Sequence, residues 1–384
     1  MKNTKCTIPA FVASLLASAP TQQTNITELQ AIWCEYQDSI ARQFPGIRVD
    51  RDSQTICRGE LSPGCMLCKS GHWDCLFVTP TCNLDCEFCI STLKNRPGVP
   101  LSALGRDKRQ IATNYQRVHI RGISFSGGEP LCKFRRTADL LTFFKSQFPD
   151  NYFWLYTNGV QLTERQVDSF SDLALDEIRF NTAATGYDDI HVMRIMEYAA
   201  KKIRNITVEI PLLLRDKAAL LMAIPGYEDA GVKFLNVHEL MKESQSHSAC
   251  LNAEHFRKIM FEDGHITEIS MDSAGVVTEI LTALADTGSG LNFNFCSTIN
   301  KRMQVKKRRQ NIIALLRQPF EKIIDDEYLE TCLVYDDSGR IEFIHPDKWS
   351  KRQISINGFH GLTLKTLAPV SIFKKGAIVA VTPK

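Results

Sequence analysis

No run of 18 or more apolar residues occurs in the 384-residue chain, which argues against a membrane-spanning helix. Charge imbalance is slight. Forty-six Lys and Arg against 43 Asp and Glu leave +3, too little to point to nucleic acid or a membrane surface as partner. An even cysteine count is also missing. There are thirteen, and seven of them fall between Cys57 and Cys89 at spacings typical of ligands rather than of a small secreted disulfide framework. A reducing, cytoplasmic setting is therefore expected. Near the start, Lys2 and Lys5 precede the apolar stretch Ile8–Ala17 and the small residues before Pro20, imitating a short signal peptide. Pro20 would obstruct cleavage, so the stretch reads as a surface helix. Hydrophobic content of 44% and charged content of 23% are ordinary for a globular enzyme.

From residue 75 onward short apolar runs alternate with helical stretches, the pattern of βα units in a parallel sheet. Strands are expected at 75–78, 119–125, 152–156, 177–182, 206–212 and 233–237. Helices are expected near 105–116, 136–147, 163–170, 187–203 and 216–228. Six units predict an α/β fold with a partial (β/α)6, TIM-like barrel, whose ligands belong at the C-terminal ends of the strands. Four segments are expected: a helical lead-in at 1–56, a cysteine-rich stretch at 57–75, the barrel and its helical completion at 76–330, and a small β-rich extension at 331–384. In the lead-in, Leu29, Ile32, Trp33, Tyr36 and Ile40 recur at helical spacing, and Gly46 ends the helix. Residues 254–287 read as helix, strand and helix. In the extension, Asp336-Asp-Ser-Gly reads as a hairpin turn.

The most informative stretch is Thr81-Cys-Asn-Leu-Asp-Cys-Glu-Phe-Cys-Ile90, directly after the first strand. Cys82, Cys86 and Cys89 stand with three and then two residues between them. Iron–sulfur cubanes are normally held by four thiolates; three leave one iron open, as a catalytic metal requires. The second strand ends in Ser124-Phe-Ser-Gly-Gly-Glu-Pro130 and the third in Thr157-Asn-Gly159. CxxxCxxC with Phe88 before its last cysteine, followed about forty residues later by Gly127-Gly128-Glu129-Pro130, resembles the signature of the radical S-adenosylmethionine (SAM) superfamily.

That resemblance implies a 4Fe–4S cluster on Cys82, Cys86 and Cys89, with SAM on the open iron. One electron splits SAM, and a 5′-deoxyadenosyl radical takes hydrogen from a substrate. It implies that Glu129, with Gly127, Gly128 and Pro130, serves the SAM amino group. Asn158 of the Thr-Asn-Gly element is a further candidate, its plain alternative being an Asn-Gly turn. Asn181 and Thr182, ending the fourth strand, are candidates for the ribose. Glu209 on the fifth strand is either paired structurally or faces the barrel lumen, and the lumen is favoured because a buried unpaired carboxylate is costly. On the sixth strand, alternation puts Asn236 and His238 on one face and Val237 and Glu239 on the other, so one pair faces the site; His238 is carried as the candidate.

Cys65-x-x-Cys68 is a chelating pair like those of structural zinc or iron sites, with Cys57 the nearest further ligand; Cys75 is equally well a packed strand residue. This pair, with the late Cys296-Ser297, resembles proteins related to pyruvate formate-lyase activating enzyme. There, Cys296 would return to complete an auxiliary zinc or iron site with Cys57, Cys65 and Cys68. The kinship implies a peptide or protein substrate. Since no flavin or ferredoxin module is visible, a separate reductant such as flavodoxin or ferredoxin is expected. A cobalamin-dependent radical SAM C-methyltransferase is the rival among enzymes. A zinc-stapled nucleic-acid-binding protein using the basic run 301–309 is the rival outside them. That run reads as the solvated face of a helix whose apolar positions are Met303, Val305, Ile312 and Leu315.

Overall fold

The computed structural model describes residues 24–91, 107–242, 251, 255–260, 266–336, 341–344, 359–367 and 377–383. The signal-like start, the polar stretch from Glu243 and the Asp-Ser-Gly turn at 337–339 lie outside the described residues.

Strand β1 (Thr24–Asn25) leads into the helix Ile26–Gln43, which buries Leu29, Ile32, Trp33, Tyr36 and Ile40 along one face. The lead-in is not helical throughout. β2 (Ile47–Asp50) and β3 (Thr55–Arg58) pair with each other and join the main sheet. Next comes a short helix, Pro63–Ser70. Ser62 caps it by accepting from the Cys65 N–H at 3.2 Å, Pro63 opens its first turn, and Gly71 closes it in the left-handed region.

The strands that follow are β4 (Trp73–Thr79), β5 (Gly122–Gly127), β6 (Tyr152–Thr157), β7 (Glu177–Phe180), β8 (Asn205–Pro211) and β9 (Phe234–His238). They are the six expected strands, all parallel, with helices Lys108–Arg117, Phe134–Gln147, Glu164–Asp172, Ile190–Ala200 and Lys217–Asp229 between them. The main sheet runs β2-β3-β13-β9-β8-β7-β6-β5-β4. It therefore contains a seventh parallel strand, β13 (Asn292–Cys296), beside β9, and β3 lies antiparallel on the far side of β13. This open curved sheet with its outer helices is a partial barrel.

β10 (Met241–Lys242), β11 (Phe256–Met260) and β12 (Ile266–Ser270) form a small sheet with β1, followed by the helix Ser273–Asp286. The first part of 254–287 is thus strand where a helix was expected; β11 and β12 pair edge to edge, and that pairing overrides local propensity. A helix, Thr298–Leu316, follows β13. The end of the chain forms an antiparallel sheet of β14 (Glu321–Ile324), β15 (Tyr328–Asp336), β16 (Ile341–Ile344), β17 (Phe359–Leu367) and β18 (Ala377–Pro383), which begins already at Glu321. Among the described residues no helix is long and apolar enough to cross a membrane.

The basic run is a correction. Arg308 and Arg309 are buried, whereas Met303 and Leu315 are exposed. Arg309 pairs with Glu327 at 3.3 Å, Arg302 and Lys306 approach the same carboxylate at 3.9 and 4.0 Å, and Arg308 meets Asp74 at 3.2 Å. Buried charges need partners, and these come from β4 and the turn before β15, which helical periodicity cannot see. The run is therefore largely occupied within the molecule.

Candidate active site

A cavity of about 310 Å³ opens at the C-terminal ends of the parallel strands. One end is walled by Cys82, Cys86, Cys89 and the turn Gly127–Glu129, the other by Glu209, His238 and Lys301. The cysteine loop follows β4 directly. A turn closes it, from the Cys89 N–H to the Cys86 carbonyl at 3.1 Å. Its Phe88 packs against the buried Leu213, Leu240, Leu251 and Phe256.

The paired glycines bring two loops together. Gly127 has φ of 138°, and a Cβ there would run into the Thr79 carbonyl; one on Gly128 would meet the Thr81 carbonyl. The close approach lets the Gly128 N–H donate to Thr79 O at 2.7 Å and the Glu129 N–H to Thr81 O at 2.8 Å. The Gly-Gly turn thus clamps the root of the cysteine loop.

Glu129 is buried. Its Oε1 accepts from the Leu131 N–H at 3.0 Å and the Thr157 hydroxyl at 2.9 Å, and its Oε2 accepts from the Asn158 N–H at 2.8 Å. Burial pushes its carboxyl up, against these three donors. A carboxylate has about four acceptor sites, so Oε2 keeps one for a further donor. Asn158 also donates through Nδ2 to Asn83 Oδ1 at 2.8 Å, tying the end of β6 to the cysteine loop. Pro130 is buried at the start of a 3-10 turn and does not line the cavity.

Asn181 lines the cavity, and its buried Oδ1 has no partner. Thr182 is different. Its hydroxyl lies 2.8 Å from the Tyr227 hydroxyl, in the core and off the cavity wall, so its expected ribose contact is corrected. The chain turns into a 3-10 segment at Thr182, which swings that side chain inward.

The lumen holds a charged network. Arg179 is buried and bonds Glu177 at 2.8 Å, Glu209 at 2.5 Å and Ser62 at 3.0 Å. Gly64, in the short helix, has no side chain where the guanidinium passes. Glu209 lines the cavity and is also paired, so both of its expected readings hold at once. Burial would raise its carboxyl, but Arg179 and then His238 outweigh burial and hold it well below the usual range. His238 shares a bond with Glu209 Oε1 at 2.8 Å, and its imidazole is pushed down by burial and next by the charge of Lys301. Both His238 and Glu239 reach the cavity because β9 ends there, so alternation no longer separates them. Glu239 is buried, which raises its carboxyl, and its Oε1 has no partner.

Sequence reasoning gave Arg179, Thr157 and Asn83 no role of their own, and met Lys301 as the lysine downstream of Cys296-Ser297 and at the head of the basic run. The alternating Glu177-Ile-Arg179-Phe of β7 was the available signal, since it puts two opposite charges on one buried face.

The donor set fits an iron–sulfur cluster: three soft thiol ligands on one loop, none in a disulfide, beside a cavity with a polar far wall. Among the described residues no three His, Cys, Asp or Glu side chains surround a single-ion position; a four-iron cluster holds its cysteines farther apart than one ion does. Cys57, Cys65, Cys68 and Cys296 lie elsewhere, along β3, the short helix and β13. Burial pushes the Cys57 and Cys65 thiols up to about 11 and raises Cys68 and Cys296 as well. Cys75 sits on β4 beside Ser124 and Ser126, apart from both groups.

Residues 70–178, which carry the cysteine loop and the Gly-Gly-Glu turn, match the profile of the 4Fe-4S single cluster domain. A Methanocaldococcus jannaschii protein, provisionally named a glycyl-radical enzyme activating enzyme, is 25% identical over 297 residues, 74% of this chain and 76% of its own. The FeMo cofactor biosynthesis protein NifB of Klebsiella pneumoniae is 32% identical over 110 residues, 26% of this chain and 23% of its own. Among solved structures, SAM-bound SuiB of Streptococcus suis has a TM-score of 0.44 at 11% identity, covering 58% of this chain and 50% of SuiB. The methyltransferase TsrM of Kitasatospora setae has a TM-score of 0.41 at 10% identity, covering 62% of this chain and 56% of TsrM. The chain thus spans about half the length of these solved structures, and likenesses so distant identify no shared function. The cluster-domain match over residues 70–178 and the relative that spans three quarters of the chain thus fall on the segment whose motifs, at the strand ends, resemble those of the radical SAM superfamily.

Proposed function

We propose that this protein is a radical SAM enzyme, with a 4Fe–4S cluster and SAM as its cofactors, and that it takes a hydrogen atom from a side chain of a peptide or protein. The carrying observation is one continuous cavity that joins the cysteine loop and the Gly-Gly-Glu turn to a polar wall on β8, β9 and the helix Thr298–Leu316. Bound there, the reduced cluster and SAM supply reductive carbon–sulfur cleavage and a carbon radical able to abstract hydrogen. Cys82, Cys86 and Cys89 are the proposed cluster ligands. The remaining acceptor site on Glu129 Oε2 takes an ammonium donor of SAM, and the unpartnered Oδ1 of Asn181 takes a ribose hydroxyl. Glu209, His238 and Lys301 stand at the opposite end, where they orient the substrate. The apolar cluster of buried Leu213, Leu240, Leu251 and Phe256, with the half-buried Phe88 packed on it, keeps water from the reacting atoms.

The peptide or protein reading is supported by the M. jannaschii relative, whose name makes another enzyme its target and whose likeness spans most of both chains. Electrons come from a separate reductant of the flavodoxin or ferredoxin kind.

The test uses anaerobically reconstituted full-length protein with dithionite and SAM. 5′-Deoxyadenosine is expected from the wild type and not from the Cys82→Ala/Cys86→Ala/Cys89→Ala variant. Supplied with deuterated cell extract split by size, the enzyme is expected to place deuterium in 5′-deoxyadenosine from the macromolecular fraction. Deuterium arriving only from the small-molecule fraction refutes the peptide or protein reading while leaving the reaction class intact.

A further inference from the structure

We propose that Cys57, Cys65, Cys68 and Cys296 hold a single zinc or iron ion in the wall of the barrel, as a four-thiolate site separate from the cysteine loop of the cavity. The observation behind it is a set of buried amide side chains in contact with three of these sulfurs, those of Cys57, Cys65 and Cys296. Asn236 Nδ2 lies 3.0 Å from Cys65 Sγ, and Asn300 Nδ2 lies 3.1 Å from Cys296 Sγ. Asn294 stands between two of the cysteines: its Oδ1 accepts from Cys57 Sγ at 3.4 Å, and its Nδ2 faces Cys65 Sγ at 4.0 Å. All three asparagines are 5% exposed or less.

The sheet explains how four distant cysteines come together. Asn294 on β13 is paired with Cys57 on β3 and with Asn236 on β9, and Cys296 follows two residues later on the same face. The capped helix Pro63–Ser70 supplies the rest, with Cys65 and Cys68 three apart and so on one side of it. Cys57, Cys68 and Cys296 are buried and Cys65 partly so.

Burying three amide side chains is costly unless their hydrogen-bonding groups are satisfied. A neutral thiol is a weak acceptor, whereas a thiolate accepts charge-assisted bonds. The amide N–H groups directed at Cys65 and Cys296 are therefore effective only if those two sulfurs carry charge, whereas Cys57, which donates to Asn294 Oδ1, must give up its proton when an ion binds. Several buried thiolates need a cation among them, and outer donors of this kind tune metal–thiolate sites. A four-sulfur set selects zinc or iron over hard cations. Among the described residues no three potential ligands surround a single-ion position. Binding must turn the cysteine side chains inward, which couples the metal to the order of this wall. Access exists. A cavity of about 470 Å³ lined by Arg48, Asp50, Glu60, Met66 and Lys69 reaches Cys57 from outside.

The site also touches the active cavity. Asn236 donates to Glu209 Oε2 at 3.1 Å as well as facing Cys65, so the ion would brace the carboxylate that holds His238. None of this depends on the role proposed for Cys82, Cys86 and Cys89.

The test removes the loop cysteines first. Full-length Cys82→Ala/Cys86→Ala/Cys89→Ala protein, expressed with both iron and zinc supplied and purified anaerobically, is analysed for metal and sulfide. One zinc or iron per chain without sulfide is expected, with four sulfur neighbours by X-ray absorption. Elemental analysis tells zinc from iron. No stoichiometric metal, a nitrogen- or oxygen-rich shell, or accompanying sulfide overturns the proposal. Adding Cys65→Ser and Cys68→Ser is expected to abolish the metal, and retention overturns it. Should that variant fail to fold by circular dichroism, Asn236→Leu decides. Cobalt(II) titration of the metal-stripped protein is expected to show tetrahedral thiolate bands, weakened about 10- to 100-fold in affinity by Asn236→Leu. An unchanged affinity overturns the proposal.

Discussion

Replacing Arg179 with Met tests the charged network at the centre of the barrel. The guanidinium is buried and holds two carboxylates, Glu177 at 2.8 Å and Glu209 at 2.5 Å. Removing one member of a buried ion pair costs about 3–5 kcal/mol because the partner charge is left without compensation. Here two charges are left, but neither is bare. Glu177 keeps the Thr207 hydroxyl at 2.6 Å and the Tyr152 hydroxyl at 2.9 Å, and Glu209 keeps Asn236 and His238. A loss near 4 kcal/mol at pH 8 is therefore expected, within the range for one broken pair. The sign of the pH dependence follows from Glu209. Its folded carboxyl is held below the usual range, so its stabilising contribution is present above the unfolded value and is lost only as strong acid is approached. Without Arg179 the burial of Glu209 loses its main opposing influence, and its folded carboxyl binds a proton more readily than the unfolded one. The deficit should then shrink from pH 8 to pH 6, by up to about 1.4 kcal/mol per pH unit for each proton taken up. Urea unfolding followed by circular dichroism at both pH values measures this. The Glu177→Gln/Arg179→Met/Glu209→Gln variant, with no charge left, should recover most of the loss. A deficit under about 1 kcal/mol at pH 8, as for an exposed pair, or one that grows on acidification, would refute the reasoning.

Four further outcomes follow from the geometry. Gly128→Ala puts a methyl group against the Thr81 carbonyl; it should strain the turn by about 1–3 kcal/mol and lower iron and sulfide per chain after reconstitution, and full loading would count against the clamp. Glu129→Gln turns one acceptor oxygen into a donor facing other donors, so SAM binding measured by equilibrium dialysis should weaken by about tenfold or more, with unchanged binding the contrary result. Glu327→Gln leaves Arg309, Arg302 and Lys306 around a neutral group and should destabilise by about 2–4 kcal/mol in urea; a change within experimental error would return the basic run to a solvated face. Lys301→Met should raise the His238 titration midpoint seen by NMR, because the lysine charge disfavours the imidazolium, while Glu209→Gln should lower it; the opposite signs would mean that the two charges do not act on His238.

The sequence by itself determined which chemically unusual residues line the cavity at the strand ends and the order of the six strands that build it. CxxxCxxC, Gly-Gly-Glu and Asn158 each sit at the end of a strand, and short-range pattern suffices to place a strand end. Chemically unusual residues at strand ends in a βα series can only gather on one face of the sheet. Helices such as Ile26–Gln43 were likewise legible from the spacing of Leu29, Ile32, Trp33, Tyr36 and Ile40. Tertiary structure alone decided what depends on partners far along the chain. Arg179 is a lumen anchor because β8 brings Glu209 beside it and the helix Pro63–Ser70 brings Ser62, 117 residues away in sequence. Thr182 leaves the cavity because Tyr227 holds its hydroxyl, and Arg308 and Arg309 turn inward because Asp74 and Glu327 wait there. Cys57, Cys65 and Cys296 share Asn294 and its neighbours only through the register of β3 against β13. Periodicity reports which face of an element is apolar; a buried charge, hydroxyl or thiol takes its meaning from the group opposite, and that group is set by strand order and register.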